Sequence, residues 1–127
     1  MALFGLLFLT FCTPRNPIPS VYDTRGVRVG EVHPLDDQYE ILDASGTMAG
    51  ILSGSQLVSG SGSRLGEMIV SGTGAVSVLD ARGKEMATIQ QGTDCYDNND
   101  KLLGRVNAQT DPSAAGAACL LLLLDRP

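Results

Sequence analysis

Tryptophan is absent from this chain, histidine occurs once, and charged residues make up only 18% of the 127 positions. Soluble domains usually have about a quarter of their residues charged. The nine Lys and Arg residues are dispersed and are outnumbered by fourteen Asp and Glu residues, for a net charge of −5. Because nucleic-acid binding needs clustered cations that neutralise phosphates, this composition predicts no nucleic-acid partner.

Cysteine is also scarce: the chain has only Cys12, Cys95 and Cys119, with no CxxC pair. An odd number without that spacing predicts no metal site, and no cofactor is predicted either. Two alternatives remain for the thiols. Cys12 and Cys119 form a disulfide if the termini meet in an oxidising compartment, or all three cysteines stay reduced and buried.

Groups suited to catalysis are few. The single histidine, His33, precedes Pro34 in a predicted loop, where no orienting partner or substrate pocket is indicated. The SGSGS run within residues 53–63 lacks the Gly-Lys-Ser/Thr ending of a phosphate loop, so we interpret it as a flexible hairpin connection. The sequence therefore predicts no catalytic residue, no small-molecule substrate and no enzymatic activity.

Glycine is abundant, with 15 residues, and much of it belongs to a repeated phrase. The phrase reads apolar-x-Asp-x-x-Gly, three further residues, then Gly-x-apolar, and it recurs with substitutions in residues 21–32, 41–52, 57–68, 78–89 and 95–106. Asp-x-x-Gly between apolar runs is typical of β-hairpins, because Asp accepts a backbone hydrogen bond and Gly supplies a positive φ. The predicted structural turn residues are Asp23, Gly26, Asp43, Gly46, Gly62, Asp80, Gly83, Asp97 and Asp100.

A second small residue lies four positions after the turn position, at Gly30, Gly50, Gly66, Ala87 and Gly104. A small residue inside a strand marks a close approach of the backbone to a neighbour. Aliphatic residues flank this position, so each unit buries one face when the units stack. We predict an all-β fold for residues 20–110, with five repeated β-hairpins around a pseudo-five-fold axis, as a β-flower or a small barrel-like structure.

The five D-x-x-G-x-x-x-G hairpins resemble the five-fold β-flower family, small bacterial domains whose hairpin petals surround such an axis. That family brings no established activity or catalytic residue to this chain. The first unit alone, VYDTRGVRVGEV, is similar to the opening strand pair of PRC-barrel domains. Those domains bind other proteins, and the H subunit of photosynthetic reaction centres combines one with an N-terminal membrane anchor. The resemblances together imply a β domain that works through protein or membrane contacts.

Residues 1–19 are predicted to be an apolar N-terminal segment followed by a proline-rich linker. Residues 1–12, MALFGLLFLTFC, are too few to cross a bilayer, which takes about 20 apolar residues, and they lack the basic start of a signal peptide. Whether this segment is cleaved, lipidated or embedded stays open. The residues predicted to contact a membrane or partner here are Leu3, Phe4, Leu6, Leu7, Phe8, Leu9 and Phe11.

Residues 111–127 are predicted to be an apolar C-terminal segment, since positions 114–124 contain no polar side chain other than a cysteine thiol. One alternative is a buried closing strand or a short helix packed on the domain. The other is a second segment in contact with a membrane or a partner subunit. In that case the contact residues are Leu120, Leu121, Leu122, Leu123 and Leu124.

These features favour a non-enzymatic structural or assembly subunit, held to a membrane or to a larger complex of like or unlike subunits by its apolar termini. The predicted location is membrane-associated or in the cell envelope, on either face. The alternative function is an extracytoplasmic ligand-binding module, for example for carbohydrate, with Tyr22, Tyr39 and Tyr96 as the available stacking residues.

Overall fold

Ten strands account for most of the chain that the computed structural model describes, which comprises residues 18–90, 93–106 and 111–124. The strands are β1 (Ser20–Asp23), β2 (Arg28–Leu35), β3 (Gln38–Asp43), β4 (Met48–Ser53), β5 (Gln56–Val58), β6 (Arg64–Val70), β7 (Val76–Asp80), β8 (Glu85–Gln90), β9 (Asp94–Asp97) and β10 (Leu102–Val106). Strands that are consecutive in the chain pair antiparallel, and β1 also pairs with β10. The predicted all-β class is confirmed, as a closed barrel that leaves no unpaired sheet edge among these strands.

The two ends of the barrel join their strands differently. At the turn end, short turns link β1 to β2, β3 to β4, β5 to β6, β7 to β8 and β9 to β10. The connection end carries the other strand links, the entry of the chain at Ile18 and the start of the C-terminal helix.

The turns at the turn end share one pattern of hydrogen bonds. In the first, the N–H of Gly26 donates to the carbonyl of Asp23, and the N–H of Asp23 donates to the carbonyl of Val27, each over 3.0 Å. Gly26 has a φ of +82°, a conformation that a residue with a Cβ adopts only at a cost. In the fifth turn Asp100 takes this position with a φ of +60°, which Asp tolerates better than most residues.

A turn of the same type lies at the connection end, between β6 and β7, where none was predicted. The N–H of Gly74 donates to the carbonyl of Ser71 over 3.0 Å, and Gly74 has a φ of +89°. Its Ser-Gly-Thr-Gly sequence has Ser where the other turns mostly have Asp, as the third turn does with Ser59. The serine made this sixth turn harder to recognise.

The C-terminal segment is helical and lies inside the barrel. Helix α1 (Pro112–Ala118) begins with Pro at its first position, and the side chain of Asp111 accepts a hydrogen bond from the N–H of Ser113 over 2.8 Å. It continues without a break as a π-helical segment, Cys119–Leu124. The residues of α1 from Ala114 onward are fully buried, and the two helical parts together contact strands from every side of the ring.

The strand residues that face the helix form the wall of the core. The first and last apolar positions of the repeated phrase are all buried, whereas the residue before the second small position is mostly half-buried. The buried wall residues are Val21, Val29, Val32, Ile41, Leu52, Leu57, Met68, Val76, Val78, Ala87, Ile89, Cys95 and Val106. The core therefore consists of aliphatic side chains around a helix made of Ala, Gly, Cys and Leu.

A disulfide joins Cys95 on β9 to Cys119, with 6.1 Å between the two Cα atoms. That separation suits a disulfide. It corrects the expected pairing of Cys119 with Cys12 and the alternative of three reduced thiols. Cys12 itself lies outside the described residues. Position 95 is the first apolar position of the fifth unit, so its side chain points into the barrel toward the helix.

Candidate functional site

The leucines of the π-helical segment lie against the second small residue of the repeated phrase. The pairs are Gly66 with Leu120, Gly50 with Leu121, Gly30 with Leu122 and Gly104 with Leu123, at 2.7, 2.8, 2.6 and 2.9 Å between an added Cβ and the nearest leucine methyl carbon. Real Cβ atoms do not approach carbon this closely, so each glycine leaves the space that its leucine fills. The small residues make room for the helix.

Consecutive leucines reach consecutive hairpins around the ring. From Leu120 to Leu123 the contacted strands are β6, β4, β2 and β10, which is a stepwise path around the barrel. An α-helix turns by about 100° per residue. A π-helix, with i→i+5 hydrogen bonds, turns by less per residue. The change from α- to π-helix thus lets successive leucines point at successive hairpins.

A cavity of about 300 Å³ opens at the turn end beside the last leucine. Its lining is mainly apolar, with one carboxylate and one guanidinium near the mouth. Its lining includes Leu65, Asp80, Arg82, Met86, Leu121 and Leu124. This volume lies at the lower limit for small-molecule sites. The three tyrosines weighed as stacking residues for a carbohydrate do not line it.

Asp80 holds the turn that lines this cavity. Oδ1 of Asp80 accepts hydrogen bonds from the N–H groups of Arg82 and Lys84, over 2.8 and 3.0 Å. The hydrogen bond from Lys84 is the main cause that holds the pKa of Asp80 below its ordinary value, and burial opposes it. The pKa values of Asp23 and Asp43 are lowered in the same way by hydrogen bonds within their own turns. The carboxylates of these three residues therefore accept backbone hydrogen bonds within their own turns.

His33 lies on the outer surface of the barrel rather than in a loop, near the end of β2. Its Nε2 lies 2.8 Å from Oε1 of Glu31, whose other oxygen lies 2.8 Å from a guanidinium nitrogen of Arg28. The hydrogen bond with His33, followed by that with Arg28, holds the pKa of Glu31 below its ordinary value. The cluster is an ion pair along one strand, and none of its three residues lines the cavity at the turn end.

The structure separates the residues predicted to contact a membrane or partner into two groups. Leu3, Phe4, Leu6, Leu7, Phe8, Leu9 and Phe11 lie outside the described residues. Leu120, Leu122 and Leu123 are buried in the barrel, and Leu121 and Leu124 are half-buried beside the cavity. While the helix stays in place, these leucines offer little surface to a partner.

Sequence reasoning missed the cavity and a set of exposed aliphatic side chains at the connection end. A signal existed for part of that set, because Ile69 and Val70 follow Met68 as consecutive apolar residues and break the alternation of β6. Arg82 and Met86 gave no signal, because Arg25 holds the same turn position in the first unit and an apolar residue precedes the second small position in every unit.

Comparison of the chain with protein-family models, with curated proteins and with solved structures finds no significant match. Within residues 18–90, 93–106 and 111–124, no helix has the length and apolar character needed to cross a membrane. The same residues contain no group of three or more His, Cys, Asp or Glu side chains arranged to hold a metal ion.

Proposed function

We propose that the protein is a non-catalytic structural module, a barrel displayed at a membrane by its apolar residues 1–12. The observation that carries this proposal is the filled interior of the barrel. Its own helix occupies the space in which other small barrels bind a ligand, and no polar or charged residue is buried among the residues described. An aliphatic core without buried polar side chains supplies no groups for acid–base or nucleophilic chemistry.

The repeat fits this role. We propose that the five turn-end hairpins are copies of one unit around a pseudo-five-fold axis, as in the five-fold β-flower proteins. The shared turn hydrogen bonds and the glycines opposite successive leucines support this arrangement. The disulfide supports an extracytoplasmic location, because such bonds persist mainly in oxidising compartments. A rigid disulfide-linked barrel suits display outside the cytoplasm.

Fractionation of the full-length chain tests the membrane proposal. We expect the protein to sediment with membranes and to stay there in high salt, which weakens charge-mediated binding but not apolar insertion. A matched variant carries Leu6→Asp and Leu7→Asp, which should release the protein while the thermal stability of the barrel stays unchanged. Recovery of the unmodified chain as a free monomer without detergent would contradict the proposal, and a large soluble complex would replace the membrane with protein subunits.

A second candidate function rests on the cavity at the turn end. Its leucine and methionine lining and Arg82 suit a small apolar molecule with an anionic group, since the carboxylate of Asp80, which also lines the cavity, accepts hydrogen bonds from its own turn. The Met86→Trp variant would fill the space, and the Val27→Trp variant, on another turn, is its control. Saturable binding of a short-chain carboxylate that Met86→Trp abolishes would favour this function, and equal behaviour of both variants would remove it.

A further inference from the structure

Exposed aliphatic side chains are concentrated at the connection end of the barrel. Five large apolar residues in the described part of the chain are about half exposed, and four of them are at this end. Leu35 ends β2, Ile69 and Val70 end β6, and Ile18 precedes β1. Because β1 and β6 lie on opposite sides of the ten-stranded ring, the four side chains are spread around the rim. We call Ile18, Leu35, Ile69 and Val70 the apolar rim.

Positive charge follows the opposite distribution, whereas the connection end carries Asp36, Asp37, Asp94 and Asp111. Among the described residues, six of seven Lys and Arg side chains belong to the turns and strand starts of the turn end. The exception, Arg105, lies toward the connection end and approaches Asp94 to 4.0 Å. The loops of the connection end contain mainly Ser, Gly, Thr and Gln, with the acidic pair Asp36 and Asp37 in one of them. This end therefore combines apolar side chains with almost no positive charge.

The chain that leads to residues 1–12 enters the barrel at this same end. The carbonyl of Pro19 accepts a hydrogen bond from the N–H of Val32 over 2.9 Å, which fixes the start of β1 there. Residues 13–19 number seven, and a fully extended chain of that length spans at most about 25 Å. A barrel tethered so closely to a bilayer presents to it the end where the tether enters.

We infer that the apolar rim rests on the lipid surface, so that the connection end is a membrane-docking face and the turn end points away. This inference rests on the proposed function, since it assumes that residues 1–12 are in the bilayer. The occupant is a bilayer of zwitterionic lipid, because the rim has no cation cluster to attract anionic headgroups. Aliphatic side chains around a rim enter the interfacial region together, and that burial supplies the attraction.

The absence of tryptophan allows a direct test. Ile69→Trp and Val27→Trp each give the full-length chain one tryptophan, and the two sites are matched in exposure at 50% and 49%. Each variant is reconstituted with phosphatidylcholine vesicles with and without bromine on the acyl chains. We expect the tryptophan at position 69 to shift to shorter wavelength on vesicle addition and to be quenched several-fold more by bromine than the tryptophan at position 27.

A second pair of variants measures the strength of docking. Ile69→Ser with Val70→Ser should weaken vesicle association roughly tenfold, while Val27→Ser leaves it unchanged. Thermal unfolding of each variant confirms that the barrel is intact. The tenfold loss with the rim variant alone supports the inference.

The other outcomes are distinguishable. If the protein floats with vesicles but positions 69 and 27 are quenched equally, the docking face is overturned and the proposed function stands. If the full-length chain does not associate with vesicles at all, both fail. A short-wavelength emission from position 69 that precedes vesicle addition and resists bromine would show that protein covers the rim, from the same chain or from a second copy, and would also overturn the inference.

Discussion

The two halves of the barrel interior are packed in opposite ways. Toward the connection end the helix is small, with Ala and Gly in α1, and the wall is large, as at Met68, Val76 and Val78 around Gly116. Toward the turn end the helix is large, with five leucines, and the wall is reduced to glycine or alanine. The barrel can thus enclose one continuous helix, because the large side chains lie on the wall toward the connection end and on the helix toward the turn end.

This difference in side-chain size explains the second small residue of the repeated phrase, which the hydrogen bonds of the turn do not explain. The turn glycine is required by its positive φ. The wall glycine is required by the leucine opposite it and, at Gly30, Gly66 and Gly104, also by a backbone carbonyl oxygen of the neighbouring strand. Among the described residues, the connection half has no corresponding glycine in the wall, because its helix residues project little. The two halves should therefore respond differently to the same substitution.

The largest effect is expected at the junction between the halves. Cys119 is the first residue of the π-helical segment, and its disulfide links it to Cys95, 24 residues earlier in the chain. The Cys95→Ser variant should lose about 3 kcal/mol of unfolding free energy in the chain-entropy account of disulfides. Urea unfolding measures this loss. The rate of amide hydrogen exchange in the variant should rise more in α1 than in the π-helical segment, since the alanines of α1 bury less apolar area than the leucines.

Cys12→Ser serves as the control for this bond. It leaves stability unchanged if Cys95 is the partner of Cys119. Loss of stability in Cys12→Ser with none in Cys95→Ser would restore the Cys12–Cys119 pairing that the sequence suggested.

The same Gly→Ala change should be costly in one half and nearly neutral in the other. At Gly66 an added Cβ meets both the carbonyl oxygen of Leu79 and Leu120, so neither neighbour can simply move. We expect a loss of about 2–3 kcal/mol. At Gly116 the nearest atoms all belong to side chains: the sulfur of flexible Met68 at 2.9 Å and methyl carbons of Val76 and Val78 at 3.1 and 3.3 Å. The two valines need to give by only a few tenths of an ångström, and the higher helix propensity of Ala, about 1 kcal/mol, offsets these contacts.

Urea unfolding of both variants compares the two halves directly. Gly72→Ala, where no atom lies within 4 Å of the added Cβ, reports the baseline effect of the substitution. Equal losses at positions 66 and 116 would show that the halves are packed alike.

Much of this arrangement follows from the sequence, and some of it does not. Asp-x-x-Gly placed the turns correctly because the side chain of Asp and the φ of Gly act within a few residues. The wall glycines were expected where strands crowd one another, and at Gly30, Gly66 and Gly104 the atom nearest to an added Cβ is indeed a backbone carbonyl oxygen of the neighbouring strand. The helix as a second close neighbour was not predicted. Residues 114–124 are apolar throughout, so no periodicity indicates a helix, and the π-helical turn depends on the barrel around it.

A smaller effect, but a more specific one, is expected when wall and helix are changed together. A Cβ at Gly50 meets Cδ1 of Leu121 at 2.8 Å and the carbonyl of Val58 only at 3.1 Å, so the leucine is the main obstacle. The Gly50→Ala cost should therefore fall when Leu121→Ala is also present, with a coupling of about 1 kcal/mol in a double-mutant cycle. The Gly66 and Leu120 pair is the control, because the backbone carbonyl of Leu79 remains in the way. If the losses of unfolding free energy caused by Gly50→Ala and Leu121→Ala simply add, the wall glycine is not required by this leucine.

The smallest effect concerns acid, and it distinguishes the turns at the two ends. The pKa values of Asp23, Asp43 and Asp80 are lowered in the folded chain by hydrogen bonds within their turns. A carboxyl group with a lowered folded pKa stabilises the fold above its unfolded pKa of about 4, and this contribution is lost as the pH falls through the folded value. Unfolding free energy should thus decrease as the pH drops below about 4.

Asp43→Asn isolates one such group at the turn end. Its amide oxygen still accepts from the N–H groups of Ser45 and Thr47 but cannot ionise. The melting temperature of this variant should be below that of the unmodified chain at neutral pH and approach it in acid, because protonation removes the advantage of the carboxylate. At the connection end, Ser71→Ala removes the equivalent hydroxyl, which accepts from Thr73 over 3.3 Å and does not titrate. Its deficit should be small and the same at both pH values, so a pH-dependent deficit there would mean that the carboxylates are not what distinguishes the two ends in acid.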